Sequence, residues 1–187
     1  MDPIPLTADA LIRPIAPGDI EPLHALVCAN RERLRPWFNW LKDDHQLADT
    51  AGFVEHCLRR ADNNDGVECV FVVSGRLAGV VGYHPVCWPH RRTAIGYWID
   101  TGHEGRGLVT RAVAALLDHA FDRWGLHRIE ITADVNNRRS RAVPERLGFT
   151  FEGVRKDYMY RHGRFHDEAV YVMLAPDWTT LRVAVRR

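Results

Sequence analysis

Hydrophobic positions along this chain change their period several times, and each change marks an element. "LIRPI" (11–15) is a short apolar run closed by the turn "APGD", which predicts a first strand. From Asp19, a residue suited to an N-cap, apolar positions recur at helical spacing through "IEPLHALVCANRERL", with Pro22 in the first turn. "RPWFNWL" follows, with Trp37 and Trp40 three apart. A second helix is expected over "AGFVEHCLRRA", capped by Asp49 or Thr50 and ended by "DNNDG". "VECVFVVSGRLAGVVGYHPV" holds two β-rich runs around "SGR", which signals a hairpin. "TAIGYWID" is a further strand, with Gly96 as a bulge or a point of close approach. "HEGRGLVT" then opens an amphipathic helix carrying Val109, Val113, Leu116, Leu117, Ala120, Phe121 and Trp124 near one face. "GLHRIEITADV" is a strand, and "NNRRSRAVPERLGF" is a short helix with Gly148 at its C′ position. "FTFEGVRKDYMY" and "FHDEAVYVML" form a last hairpin about "RHGR", and "LRVAVRR" reads as a terminal helix or frayed tail. The order β, α, α, three strands, α, β, α, two strands predicts a mixed sheet covered by helices on both faces, in one domain over residues 1–187.

Composition narrows the function more than the fold. Charged residues are 26% of the chain and the net charge is +1, so no global field favours nucleic acid or an anionic membrane. Basic character is local, in "NRERLR" and "NNRRSR". Cys28, Cys57, Cys69 and Cys87 form no C-x-x-C pair, which speaks against zinc or redox motifs and for free thiols in a reducing cytoplasm. "MDPIPLTADA" has neither a basic start nor an apolar run, so no signal peptide is expected. No apolar stretch reaches the ~18 residues of a membrane span.

The glycine turn carries the candidate chemistry. A dinucleotide fingerprint needs a third glycine where Thr110 stands, and a P-loop needs a lysine that is absent. What remains is local: a glycine-rich turn after a strand presents backbone N–H groups, and the first turn of the next helix adds unsatisfied donors and a positive dipole end. Together these suit a pyrophosphate. A plain strand-to-helix turn explains the same octapeptide equally well.

Context decides between them. "IGYWIDTGHEGRGLVTRAVAALLDHAF" followed by "ITADVNNRRSRAVPERLGFTFEG" resembles the GNAT superfamily of N-acetyltransferases, and within it the RimL-like branch that acetylates ribosomal-protein N-termini. The matching features are Ile95 to Trp98 before the loop, Asn137 and Ser140 in N-x-x-S, Gly148 to Gly153, and His166 with Asp167. The resemblance implies an α/β (α+β) GNAT fold, with a mixed, mostly antiparallel sheet of six to seven strands and a central splay. It also implies acetyl-CoA as co-substrate and direct acetyl transfer to a primary amine, most naturally a protein or peptide N-terminal α-amine. By the same resemblance Gly105, Arg106, Gly107, Leu108, Val109 and Thr110 cradle the pyrophosphate, Trp98 and Ile99 lie near the thioester, and Asn137 meets the pantetheine arm. Ser140 would protonate the departing thiolate; its local alternative is a helix cap. The family loop [QR]-x-x-G-x-[GA] falls on Glu104, Gly107 and Val109, and only Gly107 conforms, so Glu104 is expected to turn from phosphate.

The base is open. An α-amine with a pKa near ~8 is about one-tenth neutral at pH 7, whereas a lysine near ~10.4 is neutral about once in 2,500 molecules, so an N-terminus needs only a weak base. The glutamate of RimL-like enzymes aligns with Met159, which leaves Glu68, His84, Asp157 and Tyr158 as candidates. Trp37 and Trp40, with His84 and Tyr158, are expected to border the acceptor, and core packing is the alternative for the tryptophans. Pro144 removes an N–H and crowds the Ser140 carbonyl, which predicts a kink or a late helix start.

Rival functions are a non-catalytic acyl-CoA sensor and a small-molecule acetyltransferase acting on polyamines or antibiotics. His162 and His166 are four apart but sit about a turn, so they make no zinc helix, and no metal is expected. Cofactor phosphates account for Arg138, Arg139 and Arg141 as well as nucleic acid does, so no nucleic acid partner is expected. The acceptor's identity and a homodimer are left open by sequence.

Overall fold

The computed structural model describes residues 1–185. Eight strands form one sheet in the order β1-β2-β3-β4-β5-β6-β8-β7. They are β1 (Ile4–Pro5), β2 (Ala10–Pro14), β3 (Glu68–Val73), β4 (Arg76–Tyr83), β5 (Arg92–Ile99), β6 (Arg128–Asp134), β7 (Thr150–Arg161) and β8 (Arg164–Leu174). The helices are α1 (Ile20–Ala29), α2 (Arg31–Leu34), α3 (Leu47–Asp62), α4 (Leu108–Asp118), α5 (Arg138–Arg146) and α6 (Ala175–Val185). The strand count exceeds the expected six to seven through β1, a two-residue strand too short to show a period. Arg186 and Arg187 of the C-terminal "LRVAVRR" lie outside the described residues.

Every neighbouring pair is antiparallel except β5 with β6. The hairpin β3–β4 turns on Ser74 and Gly75, both at positive φ, as a two-residue turn requires. Alternation divides the sheet into two faces. Cys69, Phe71, Val81, Tyr83, Ile95, Ile129 and Ile131 join Leu116, Leu117, Val143 and Trp178 in a core against α4, α5 and α6. Val70 and Val80 join Leu23, Val27, Val54 and Cys57 in a second core under α1 and α3. Burial pushes the Cys57 and Cys69 thiols up to about 12, so both stay protonated packing groups. No helix among the described residues is long and apolar enough to cross a membrane.

Three local expectations need correction. Asp19 makes no cap hydrogen bond; its carboxylate receives Arg13 at 2.6 and 2.8 Å and the Ala16 N–H at 2.8 Å. The strong two-pronged partner outcompetes the helix end. α3 starts earlier than expected, with Gln46 at its N-cap and Asp49 accepting from the Gln46 N–H at 2.9 Å. Thr50 is buried within the helix and meets His45 instead. α5 neither breaks nor starts late at Pro144: it runs unbroken over Arg138–Arg146 with the proline inside. Its end follows expectation, since Gly148 takes φ +78° while Gly148 and Phe149 donate to the Glu145 and Pro144 carbonyls.

Candidate active site

The site grows from the one parallel pairing. β5 and β6 are paired only where Arg92, Thr93 and Ala94 face Arg128, Ile129 and Glu130. Beyond Ala94, β5 continues with β4 as far as Ile99, and β6 continues with β8 as far as Asp134. The two strands therefore part into a wedge whose inner edges offer unpaired backbone groups.

The glycine turn stands at the wedge's open end. Asp100 accepts from the Gly102 N–H at 3.1 Å, and a single 3₁₀ turn (Thr101–His103) leads into Gly105 and Gly107, at φ +74° and +73°. Nothing lies within 4 Å of where a Cβ would sit on either glycine, so each is present for its left-handed backbone in an open cradle. Gly107 is the N-cap of α4 and offers no side chain, which leaves the first-turn N–H groups free for an anion. Leu108 is buried, and Val109 packs half-buried against the same core, so its bulk goes inward rather than into the cradle. Thr110 is half-buried in that first turn. Arg106 departs from expectation: its guanidinium is held by Asp9 at 2.7 and 2.9 Å, on the β1–β2 turn.

Glu104 joins two arginines, Arg33 at 2.7 Å and Arg139 of α5. Arg33 also donates to the Ile99 carbonyl. Asn30, buried at the joint of α1 and α2, donates to Asp100 at 2.7 Å and accepts from the Thr101 N–H at 3.3 Å. These contacts lock the loop to α1 and α2. In sequence, "NRERLR" shows only as a basic run; the targets of its Asn30 and Arg33 are about 70 residues away. Arg141 turns to the Tyr171 hydroxyl and the Val135 carbonyl, both at 2.8 Å, and so is structural.

Ser140 stands in the first turn of α5. Asn137 is the actual N-cap, accepting from the Ser140 N–H at 3.1 Å, which relieves the Ser140 hydroxyl of capping. Among the described residues the hydroxyl's hydrogen-bond partner is the Tyr97 hydroxyl, to which it donates at 3.4 Å. Trp98, half-buried, packs toward the α1/α3 core, whereas Ile99 is buried in the other.

Glycines in register open a bay on the α1/α3 face. Glu68 pairs with Gly82, and Gly82 with Gly96. The Glu68 carboxyl lies over Gly82 and the His84 ring over Gly96, each within 3 Å of where a Cβ would stand. Burial pushes the Glu68 carboxyl up to about 8, so it is mostly protonated at neutral pH. His84 reaches solvent, yet the protein against its ring and the Arg60 charge hold its imidazole below the ordinary range despite Glu168 nearby, so it is neutral at pH 7.

Trp40 is exposed against Phe38 and His45, and Trp37 is half-buried. Neither lies in a helix, and Phe38 supplies the core contact expected of them. Their loop is tied to the β7–β8 hairpin: Arg161 donates to the Pro36 carbonyl at 2.7 Å and Asn39 to that of Tyr160 at 3.1 Å. Tyr158 projects into solvent under the Arg155 guanidinium, 5.0 Å from its ring centre. Asp157, at φ +48°, gives its N–H to Asp167. Met159 faces His166 across the hairpin. His166 Nδ1 lies 3.0 Å from Asp134, which also holds Arg161, in a largely buried trio at the end of β6. Nothing local in the sequence joins Asp134 to Arg161, 27 residues apart.

Residues 9–150 match the acetyltransferase (GNAT) domain family. The chain belongs to the GNAT acetyltransferases. It is 36% identical over 169 residues to YdaF of Bacillus subtilis (strain 168), covering 89% of this chain and 92% of that one. It is 26% identical over 160 residues to the ribosomal-protein-serine acetyltransferase of Escherichia coli (strain K12), covering 86% and 89%. RimL, the ribosomal L7/L12 alpha-N-protein acetyltransferase solved with coenzyme A, superposes with a TM-score of 0.89 at 25% identity, over 94% of this chain and 99% of that one. This GNAT enzyme is accordingly an N-acetyltransferase that uses acetyl-CoA, and the open cradle and uncapped α4 fit that co-substrate's phosphates.

Proposed function

We propose that this GNAT acetyltransferase modifies the α-amine of a protein or peptide N-terminus, as the names of its ribosomal relatives suggest. The observation that carries the choice is electrostatic. On the bay's face of the sheet, Glu130 and Glu168 are paired with Arg155, Glu130 also with Arg128, and Asp134 with Arg161. Glu68 has no ion pair among the described residues and is mostly protonated at neutral pH. A polyamine needs several free carboxylates to hold its charges, whereas an α-amine, with a pKa near ~8, needs none.

Acetyl-CoA supplies an activated acetyl thioester. Gly105, Gly107 and the α4 N-terminus hold its phosphates, and Asn137 fixes the loop beside the wedge. His84 Nε2, neutral and directed over Gly96, takes the amine's proton, directly or through water. The Ser140 hydroxyl, free of capping duty, donates its proton toward the departing sulfur. Trp37, Trp40 and Tyr158 border the entry.

Thiol release from acetyl-CoA, measured with N-terminal peptides, N-terminally blocked lysine peptides and spermidine, tests the reading. N-terminal peptides should turn over fastest. Faster turnover of spermidine or blocked lysine peptides would overturn it. Ser140→Ala should lower kcat with the KM for acetyl-CoA retained; an unchanged kcat would reject the serine's role.

A further inference from the structure

We propose that Tyr97 is a positioning residue for Ser140, supplying the hydrogen bond that Pro144 withholds from α5. The inference rests on the reading that Ser140 serves the departing sulfur. In an α-helix the carbonyl of residue 140 accepts from the N–H of residue 144. Here residue 144 is proline, which has no N–H, and it is buried within an unbroken helix. The Tyr97 hydroxyl donates to that same Ser140 carbonyl at 2.8 Å. The donor thus comes from β5, in the stretch that has parted from β6, and it ties the first turn of α5 to the wedge.

Two further observations favour positioning over proton transfer. The Tyr97 proton is committed to a carbonyl, so toward the Ser140 hydroxyl, 3.4 Å away, the phenol oxygen is an acceptor. Burial raises the phenol's pKa, so tyrosinate is disfavoured and the residue remains a neutral donor. Tyr83 offers a parallel one strand over: it also follows a glycine, and its hydroxyl donates to the Leu116 carbonyl at 2.6 Å, where α4 passes into a π turn. Each G-Y pair puts a glycine on the bay and a tyrosine under a helix on the opposite face.

The test compares Tyr97→Phe with its parent in two backgrounds, wild type and Pro144→Ala, using the fastest N-terminal peptide and reading kcat, the KM for acetyl-CoA and thermal melting. Alanine at 144 restores the helical N–H, so the Ser140 carbonyl no longer depends on Tyr97. In the wild-type background Tyr97→Phe should lower kcat about 5- to 10-fold, the effect of one buried hydrogen bond, with the KM for acetyl-CoA nearly constant. In the Pro144→Ala background the same change should cost less than about 2-fold, with a smaller drop in melting temperature. Equal losses in both backgrounds would overturn the inference, as would an undiminished kcat in wild type. Ser140→Ala, run alongside, separates the two readings. If it lowers kcat while Tyr97→Phe fails to couple with Pro144→Ala, only the tyrosine's role falls. If it leaves kcat intact, the serine's role falls and takes this inference with it.

Discussion

The ring of His84 lies over Gly96, so close that a Cβ on the glycine would stand 2.9 Å from Nε2. Glu68 and Gly82 repeat the relationship one strand away, with the difference that a Cβ at Gly82 would also meet the Val67 carbonyl at 2.7 Å. Gly96→Ala needs only the end of a side chain to move. It should fold, lose little melting temperature, and lose turnover by displacing the imidazole. Gly82→Ala presses on backbone and should cost about 1–3 kcal/mol of stability by urea denaturation. Equal stability losses would show that the bay is not built as described.

The two groups in the bay titrate in opposite senses, which pH profiles can separate. His84, held below 6.5, is available as a base across neutral pH. His84→Gln should reduce kcat/KM by up to about 100-fold and remove the loss of activity on acidification. Glu68→Gln preserves the neutral form present at pH 7 and should change turnover there by less than about 3-fold, since one neutral hydrogen-bonding group replaces another. A collapse of turnover at pH 7 in Glu68→Gln would transfer the base's role to Glu68.

Glu68 should also mark the pH dependence of stability. Its folded pKa, about 8, exceeds the ordinary 4.5, so the folded protein keeps a proton that the unfolded chain has released. That contribution is fully present below pH 4.5, declines as pH rises toward about 8, and is lost above it. Melting temperatures of wild type and Glu68→Gln across this range should diverge toward high pH, with the variant the more stable. Parallel curves would mean that the carboxyl is not buried as the bay requires.

Gly107 tests the cradle. Its φ of +73° suits glycine, and a side chain there has open space but the wrong backbone. Gly107→Val should abolish measurable acetyl-CoA binding, and Gly107→Ala should weaken it about 10-fold, as αL strain of ~1–2 kcal/mol implies. Unchanged affinity in Gly107→Val by calorimetry would reject the loop as the phosphate site.

Asp134 holds Arg161 and His166 with side chains 4%, 3% and 12% exposed. Asp134→Ala leaves a buried guanidinium without its counter-charge and should cost about 3–5 kcal/mol. Asp134→Ala combined with Arg161→Met should recover part of that loss in the same urea experiment. No recovery would show that the pair is not coupled.

Much of the fold was legible because periodicity is a local signal. The hairpin at Ser74–Gly75, the amphipathic α4 and the close of α5 at Gly148 each follow from neighbours in sequence. β1 gives no such signal because two residues have no period, and Asp19 and Thr50 do not cap because their side-chain partners lie outside the helix ends. The site was half legible. Gly105, Gly107, Asn137 and Ser140 enter as candidates through the resemblance to the GNAT superfamily, since their local spacing alone also fits a plain turn and a helix cap. Tyr97, Asn30, Arg33, Asp134 and Arg161 do not, because each acts through a partner brought near by the sheet or by helix packing.

Pro144 shows where the division falls. The sequence by itself determined that the Ser140 carbonyl would lack its helical donor, since a proline four residues on has no N–H to give. Whether that carbonyl would find another donor was decided by tertiary structure, which places the Tyr97 hydroxyl 2.8 Å from it beside a helix that continues through the proline. Local sequence fixes what each backbone group needs, and only the packed fold determines which distant side chain meets that need.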